Sequence, residues 1–334
     1  MLTPPASPCH ARRRFLHLAA SVPALALLLP LTACSRKPQL DATFLQPWQS
    51  HSQLSRDDWA KRMAATRALG TRQLVLQWVG MVHGSGPDWM LPDTAMQHLL
   101  DTAGEQGMRV RIGLPCDQDW WRSLSAEDEA TQVAFFSRSL QAGTQYMRES
   151  PWSQHPQFDG WYIPYEIEQY HWAEPASQQR LGQWLAALSA VSQRAGHGVP
   201  AISTYFSKLP TEGDLAQLWQ RLLELAHLRP MVQDGVGVAG WDNLKSIEPL
   251  LSMLRKQRTP FDVIVELFEQ LPSEKDDGTD FKARSADYPR VERQLAWAST
   301  TGAAQVVAFA IDPWVLQDDA PAQALHRQWL KARA

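Results

Sequence analysis

The sequence predicts a single (β/α)8 barrel, and three observations support the prediction. From Asp41 to the C-terminus, short apolar runs alternate with amphipathic segments eight times, the pattern of a parallel sheet with crossover helices. The even spacing of the eight units favours a closed barrel over an open doubly wound sheet, and a chain of this length suffices for one buried core. Two of the runs end in a carboxylate: Phe158–Glu168 (FDGWYIPYEIE) presents Glu166, and Asp262–Glu269 (DVIVELFE) presents Glu266.

Each unit has its own signals. Thr43–Trp48 is the first apolar run, and Ser55 with Asp58 three residues on opens the helix that Gly70 closes. Gln73–Trp78 is the second run. After a Gly/Pro-rich loop at 83–92, Met96, Leu99, Leu100 and Ala103 mark one face of a helix ended by Gly107. Arg109–Leu114 leads into a loop with Trp120 and Trp121, then a helix from Ser125 with Asp128 as its capping acid. The fourth helix, over 177–195, aligns Leu181, Trp184, Leu185 and Leu188. Pro200–Phe206 is the fifth run, followed by a helix capped by Asp214. Met231–Val238 is the sixth, with a helix from about Asp242. Asp262–Leu267 is the seventh, with a charged loop over 270–287 before the helix at Tyr288–Thr301. Gln305–Ile311 is the eighth, and a last helix carries Leu325 and Trp329.

Residues 1–33 read as an export signal, not as part of the fold. Arg12-Arg13-Arg14-Phe15-Leu16 matches a twin-arginine address, and the apolar stretch after it is too short to span a bilayer comfortably. It ends in Leu31-Thr32-Ala33-Cys34, which resembles a bacterial lipobox with Cys34 as the lipidated N-terminus of the mature chain. Ser35 resembles sorting to the outer membrane of a Gram-negative bacterium. Residues 34–40 then form a short linker and 41–334 the barrel, expected in the periplasm and anchored by its lipid to the outer membrane. Of the three cysteines only Cys116 is left over, so no disulfide is expected within the mature chain, and Cys116 reads as a buried thiol. Loss of the three arginines leaves 29 basic residues against 35 acidic ones, a net charge of −6. That balance argues against a nucleic-acid partner.

In a barrel of this kind the site lies at the C-terminal ends of the strands. Those ends are rich in aromatic and polar groups: Gln46 and Trp48, Gln77 and Trp78, Trp120 and Trp121, Trp172, Tyr205, Asp234, Trp241 and Trp314. Flat aromatic faces bind the C–H faces of sugars, while Gln46, Gln77, Asp234 and Tyr205 can hold hydroxyls. Trp59, Trp184, Trp219, Trp297 and Trp329 lie on helix faces and read as packing. A pair such as Glu166 and Glu266 suits glycoside hydrolysis, in which one carboxyl is protonated and the other ionised. Glu168 and Glu269 are the fallback candidates, although Glu269 has the wrong parity to share a face with Glu266.

The runs LQPW, LVLQW, GWYIPYEIE, ISTYF, QDGVGV and VELFE together resemble a bacterial family of unknown-function domains classed as glycoside-hydrolase-like TIM barrels. The resemblance covers nearly all of the mature chain. It implies the barrel fold, and by superfamily analogy a glycoside hydrolase acting on an envelope or extracellular polysaccharide. Analogy with retaining barrel glycosidases makes Glu166 the acid/base and Glu266 the nucleophile. Those enzymes usually place asparagine before the acid/base; here Tyr165 stands there, and the only asparagine is Asn243.

Two alternatives remain open on sequence alone. One is a barrel that binds polysaccharide without cleaving it. The other is an exported, cofactor-loaded oxidoreductase, since Gly235, Gly237 and Gly240 form a GxGxxG with Asp262 about 20 residues further on. Polar Gln233 and Asp234 ahead of the motif and Trp241 after it argue against a dinucleotide, and no cofactor is expected. The histidines show no HxH or HExxH spacing, so no catalytic metal is expected either. Lys275–Asp280 faintly resembles a calcium loop and reads as a solvated loop near the site.

Overall fold

Alternation within the apolar runs decides the architecture, because successive strand residues face opposite sides of the sheet. The computed structural model describes residues 39–83, 86–125, 128–272 and 281–334. Its eight main strands are β1 (Ala42–Leu45), β2 (Gln73–Leu76), β3 (Arg109–Gly113), β4 (Phe158–Ile167), β5 (Ala201–Thr204), β6 (Arg229–Gln233), β7 (Asp262–Glu266) and β8 (Gln305–Phe309). Each pairs in parallel with its neighbours. β8 closes the ring on β1, with Ala42 opposite Val307 and Thr43 opposite Ala308. The predicted (β/α)8 barrel is the fold.

Among the described residues the longer helices cover the outside: α1 (Arg56–Ala68), α2 (Asp93–Glu105), α3 (Glu129–Glu149), α4 (Pro175–Arg194), α5 (Leu215–Leu225), α6 (Asn243–Gln257), α7 (Tyr288–Ala298) and α8 (Ala320–Arg333). Their apolar stripes pack on outward strand residues such as Leu74, Ile112, Ile163, Val263 and Val265 in one core. Capping fixes where several of them start. Ser55 Oγ accepts from Asp58 N at 3.2 Å while Asp58 accepts in return from Ser55 N at 3.1 Å. Asp214 accepts from Gln217 N at 2.8 Å. Each such cap is worth about 1 kcal/mol.

The inner face of the barrel has three layers. In the middle, Phe44, Val75, Tyr162, Met231, Ile264 and Val307 form a second buried cluster, with the Phe44 and Tyr162 rings edge-on at 5.3 Å. Below it, at the N-terminal ends of the strands, polar groups meet: Arg229 grips Asp262 through Nε at 2.7 Å and Nη2 at 2.5 Å. Above it, at the C-terminal ends, Glu166 and Glu266 stand on the same inner parity as Tyr162 and Ile264. β4 reaches this level with two extra residues. Ile163 lies opposite Ile202 and Glu166 opposite Ser203, so Pro164 and Tyr165 are inserted. An insertion of two preserves the parity, and Glu166 stays on the inner side.

Several boundaries differ from the sequence expectation. The residues around Trp120 form a short helix, Trp120–Leu124, and Asp128 is itself the N-cap of α3, accepting from Thr131 N at 2.7 Å, so that helix does not begin at Ser125. Within the expected loop at 83–92, Gly86–Met90 pairs with Gly80–His83. Part of the expected loop at 270–287 is likewise paired, Phe268–Gln270 against Ala283–Ser285. The sixth run stops being a strand at Gln233, and Val236–Ala239 is a helical turn. The leader, Cys34 and Lys275–Asp280 lie outside the described residues. No helix among the described residues is long and apolar enough to cross a membrane.

Candidate active site

A cavity of about 1040 Å³ opens at the C-terminal end of the barrel, a size near the upper end for ligand pockets. Glu166 and Glu266 both line it, together with Gln46, Trp48, Gln77, Trp78, Trp120, Trp121 and Trp314 from the predicted set. The aromatics work in pairs. Trp48 is 52 % exposed on the rim and rests edge-on against buried Trp78, 5.9 Å away, whose indole N–H is tied to Pro47 O at 2.9 Å. Trp121, 50 % exposed, stands beside buried Trp120 at 6.5 Å. In each pair a buried ring fixes the position of an exposed one.

The two carboxylates have different surroundings. Glu166 Oε1 accepts from Gln233 Nε2 at 2.7 Å, and Gln233 shares the inner parity of β6 with Met231. Burial raises the Glu166 pKa, and the Gln233 hydrogen bond, which favours the charged form, opposes that rise. Glu266 is fully buried, and its Oε2 accepts from Gly237 N at 2.7 Å. Burial, followed by the nearby charge of Asp234, pushes the Glu266 pKa up to about 8.

Asp234 lies directly behind Glu266 and is wholly buried. Its Oδ1 accepts from Val236 N at 3.1 Å and Glu266 N at 3.3 Å, and its Oδ2 from Gln294 Nε2 at 2.6 Å. Both oxygens are therefore met by donors, the arrangement that suits an ionised carboxylate. Burial raises its pKa to about 6, still below that of Glu266. The charge of Asp234 thus favours the protonated form of Glu266 within the buried pair.

The glycine motif serves this arrangement. Gly235 has φ of +63° and starts the turn Val236–Ala239. A Cβ on Gly237 would come 2.3 Å from Phe268 O and 2.9 Å from Glu266 Oε2. Only glycine lets that N–H reach the carboxylate. Asp262, the acid that a dinucleotide fingerprint would need nearby, sits at the opposite end of the barrel and is bound to Arg229. The loop is built around Glu266, and the dinucleotide context is not formed.

Other predicted residues lie elsewhere. Trp172 is fully buried, stacked on Phe136 at 6.1 Å, so it belongs to the core and not to the cavity wall. Asp234 backs Glu266 and does not face the cavity. Tyr205 stands outside the lining, its hydroxyl pKa raised by burial and by the charges of Glu168 and Glu166. Trp241 is also outside, with the Arg293 guanidinium 4.1 Å from its ring centroid. Glu168 is fully buried and accepts from His171 N at 3.0 Å, and Glu269 pairs with Arg284 at 2.8 Å on the surface. Cys116 lines the cavity with its pKa raised by burial to about 12, so it is a thiol at neutral pH. Among the described residues no group of three or more His, Cys, Asp or Glu is placed to hold a metal.

Sequence reasoning did not nominate Gln233, Gln294 or Gly237 for the site. Gln294 had a signal: it is a polar residue on the α7 face that buries Val291, Leu295 and Ala298. Tyr165, which lines the cavity, accepts through its hydroxyl from Asp117 N at 2.9 Å. Asn243 donates to Asp234 O at 2.8 Å.

Comparison with known proteins completes the description. Residues 40–324 match the family described as Domain of unknown function (DUF4434). The chain belongs to that family. The uncharacterized protein YbcH of Escherichia coli K12 is 27 % identical over 197 residues, which covers 58 % of this chain and 64 % of YbcH, so the match spans less than two thirds of that relative. Among solved structures, a provisionally assigned α-L-fucosidase from Bacteroides thetaiotaomicron is 15 % identical with a TM-score of 0.65, covering 95 % of this chain and 99 % of its own. An endo-1,4-β-mannanase from Rhizomucor miehei is 10 % identical with a TM-score of 0.57, covering 88 % and 95 %. A GH99 endo-α-mannosidase from B. thetaiotaomicron is 13 % identical with a TM-score of 0.53, covering 88 % and 99 %. Structural neighbours of this family member are thus glycoside-hydrolase barrels, and at these identities they share its fold.

Proposed function

We propose that the protein is a glycoside hydrolase acting on a bacterial envelope or extracellular polysaccharide, with Glu266 as the general acid and Glu166 as the opposing carboxylate. The observation behind this reading is the asymmetry of the pair: buried Asp234, with donors on both its oxygens, sits behind Glu266 and raises its pKa, while Gln233 donates to Glu166 and favours its charged form. These roles reverse the ones drawn from analogy with retaining enzymes. The Glu266 proton passes to the glycosidic oxygen as the C1–O bond breaks, and the Glu166 carboxylate supports the positive charge at C1 as nucleophile or as base for water. Trp48 and Trp121 on the rim offer apolar faces to neighbouring sugar units. The neighbours' names cover different sugars, so they support the reaction class and not one substrate. Cys34 is the proposed lipid attachment, placing the barrel in the periplasm at the outer membrane; Arg12–Arg14 and the LTAC run support this.

Turnover by Glu166→Gln and Glu266→Gln, read on a panel of bacterial polysaccharides that the wild type cleaves, tests the assignment. Each change is expected to lower turnover by about 10²–10⁴ while leaving binding in place, because each removes proton transfer or charge and not shape. Wild-type turnover in both variants would remove the pair from the chemistry. Binding with no cleavage by the wild type itself would favour a polysaccharide-binding barrel, the reading to which the missing asparagine points.

A further inference from the structure

At the other end of the barrel the strands open on a second cavity of about 680 Å³, walled by Arg111, Gly160, His197, Val199, Leu223 and Arg258 among others. Arg111 lies on β3, on the inner parity, and is only 7 % exposed. The acids around it are committed elsewhere. Both Asp262 oxygens are taken by Arg229, and Asp159 is held by Arg109 at 2.8 Å and by the Gln73 amide. Arg111 Nη1 comes no nearer to Asp262 Oδ2 than 3.8 Å, and neither its Nε nor its Nη1 has a hydrogen-bond partner among the described residues. Its ion pair with Asp262 is long and shared with Arg229, and a buried cation so weakly matched is costly unless an acceptor completes it.

The surroundings leave room for that acceptor. The residue beside the guanidinium is Gly160, where a side chain would lie 3.9 Å from Arg111 Nε; as glycine it leaves that face uncovered. His197 adds a second donor. Its Nδ1 accepts from Trp161 Nε1 at 3.0 Å, so the neutral ring carries its proton on Nε2. Arg258 adds positive charge at the rim.

We propose that this N-terminal cavity is a ligand site for a small oxyanion, a phosphate or a carboxylate, whose oxygens take the unmatched donors of Arg111. A planar guanidinium with adjacent N–H groups suits both geometries. The site is separate from the carbohydrate reading, because the packed middle layer of the barrel lies between the two cavities.

Titration calorimetry on the full chain with inorganic phosphate and, separately, with succinate tests it. Saturable binding of either supports the site, and the stronger of the two identifies the oxyanion class. Arg111→Gln is expected to weaken that binding roughly tenfold to a hundredfold, through loss of hydrogen bonds from a charged donor. Arg258→Asn, on the surface and in a left-handed conformation that asparagine tolerates, is expected to weaken it about two- to fivefold, and it decides the matter should Arg111→Gln not fold. Glu166→Gln should leave the binding unchanged. No binding of either anion, binding indifferent to both arginine changes, or binding lost in Glu166→Gln would overturn the proposal.

Discussion

Glu266 shows how a single residue couples the site to stability. Its carboxyl would ionise with a pKa of 4.5 in an ordinary setting and does so at about 8 in the fold. Between those values the folded chain keeps a proton that the unfolded chain releases. The group's contribution is therefore intact below pH 4.5 and is lost as the pH rises towards about 8. Glu266→Gln stays neutral throughout, so its melting temperature should gain on the wild type as the pH is raised across that window. Thermal unfolding of both proteins at the two ends of the window measures this. An identical difference at each end would show that Glu266 does not hold a proton against its burial. A variant that loses turnover while gaining stability is the expected signature of a strained catalytic group.

At the scale of elements, the turn Val236–Ala239 gives the dinucleotide-like glycine pattern a local backbone reason. The spacing of Gly235, Gly237 and Gly240 is set by a left-handed start, a close approach and a left-handed exit at φ of +74°. These are local demands of backbone geometry that any ligand-facing turn can share. Gly237→Ala places a methyl group against Phe268 O and Glu266 Oε2. The cost should be about 1–3 kcal/mol in a denaturant titration, with reduced turnover, because the turn must shift away from the carboxylate. Retention of both stability and turnover would mean that the turn yields without disturbing Glu266. The inserted Pro164-Tyr165 pair on β4 is the complementary case. It changes the register by two and so leaves Glu166 on the face where plain alternation puts it.

Across the whole molecule, the inner face divides the labour along the strands. A single strand, β7, contributes Asp262 to the lower polar layer, Ile264 to the packed middle and Glu266 to the cavity above. The lipid anchor proposed at Cys34 bears on where that cavity works, and it has a direct check. Cys34→Ala should move the protein from the membrane fraction to the soluble fraction in fractionated cells. An unchanged membrane fraction would rule out that cysteine as the point of attachment.

What could be read from sequence follows from the range of the forces involved. Strand and helix periodicity are local, so the eight units, the two strand-end glutamates and most of the aromatic rim were legible, as were the caps at Ser55 and Asp214. Trp172 was misplaced because a tryptophan after a strand looks the same whether it faces a cavity or, as here, stacks on Phe136 from α3. Asp234 was read as a sugar ligand because nothing in its neighbourhood announces Gln294, sixty residues away, or the backbone N–H groups that turn it inward. Sequence alone determined the barrel and which carboxylates reach its C-terminal end. Only the tertiary structure decided what surrounds each of them, Gln233 at Glu166 and buried Asp234 with Gln294 behind Glu266, because those contacts are made across the barrel by residues far apart in the chain.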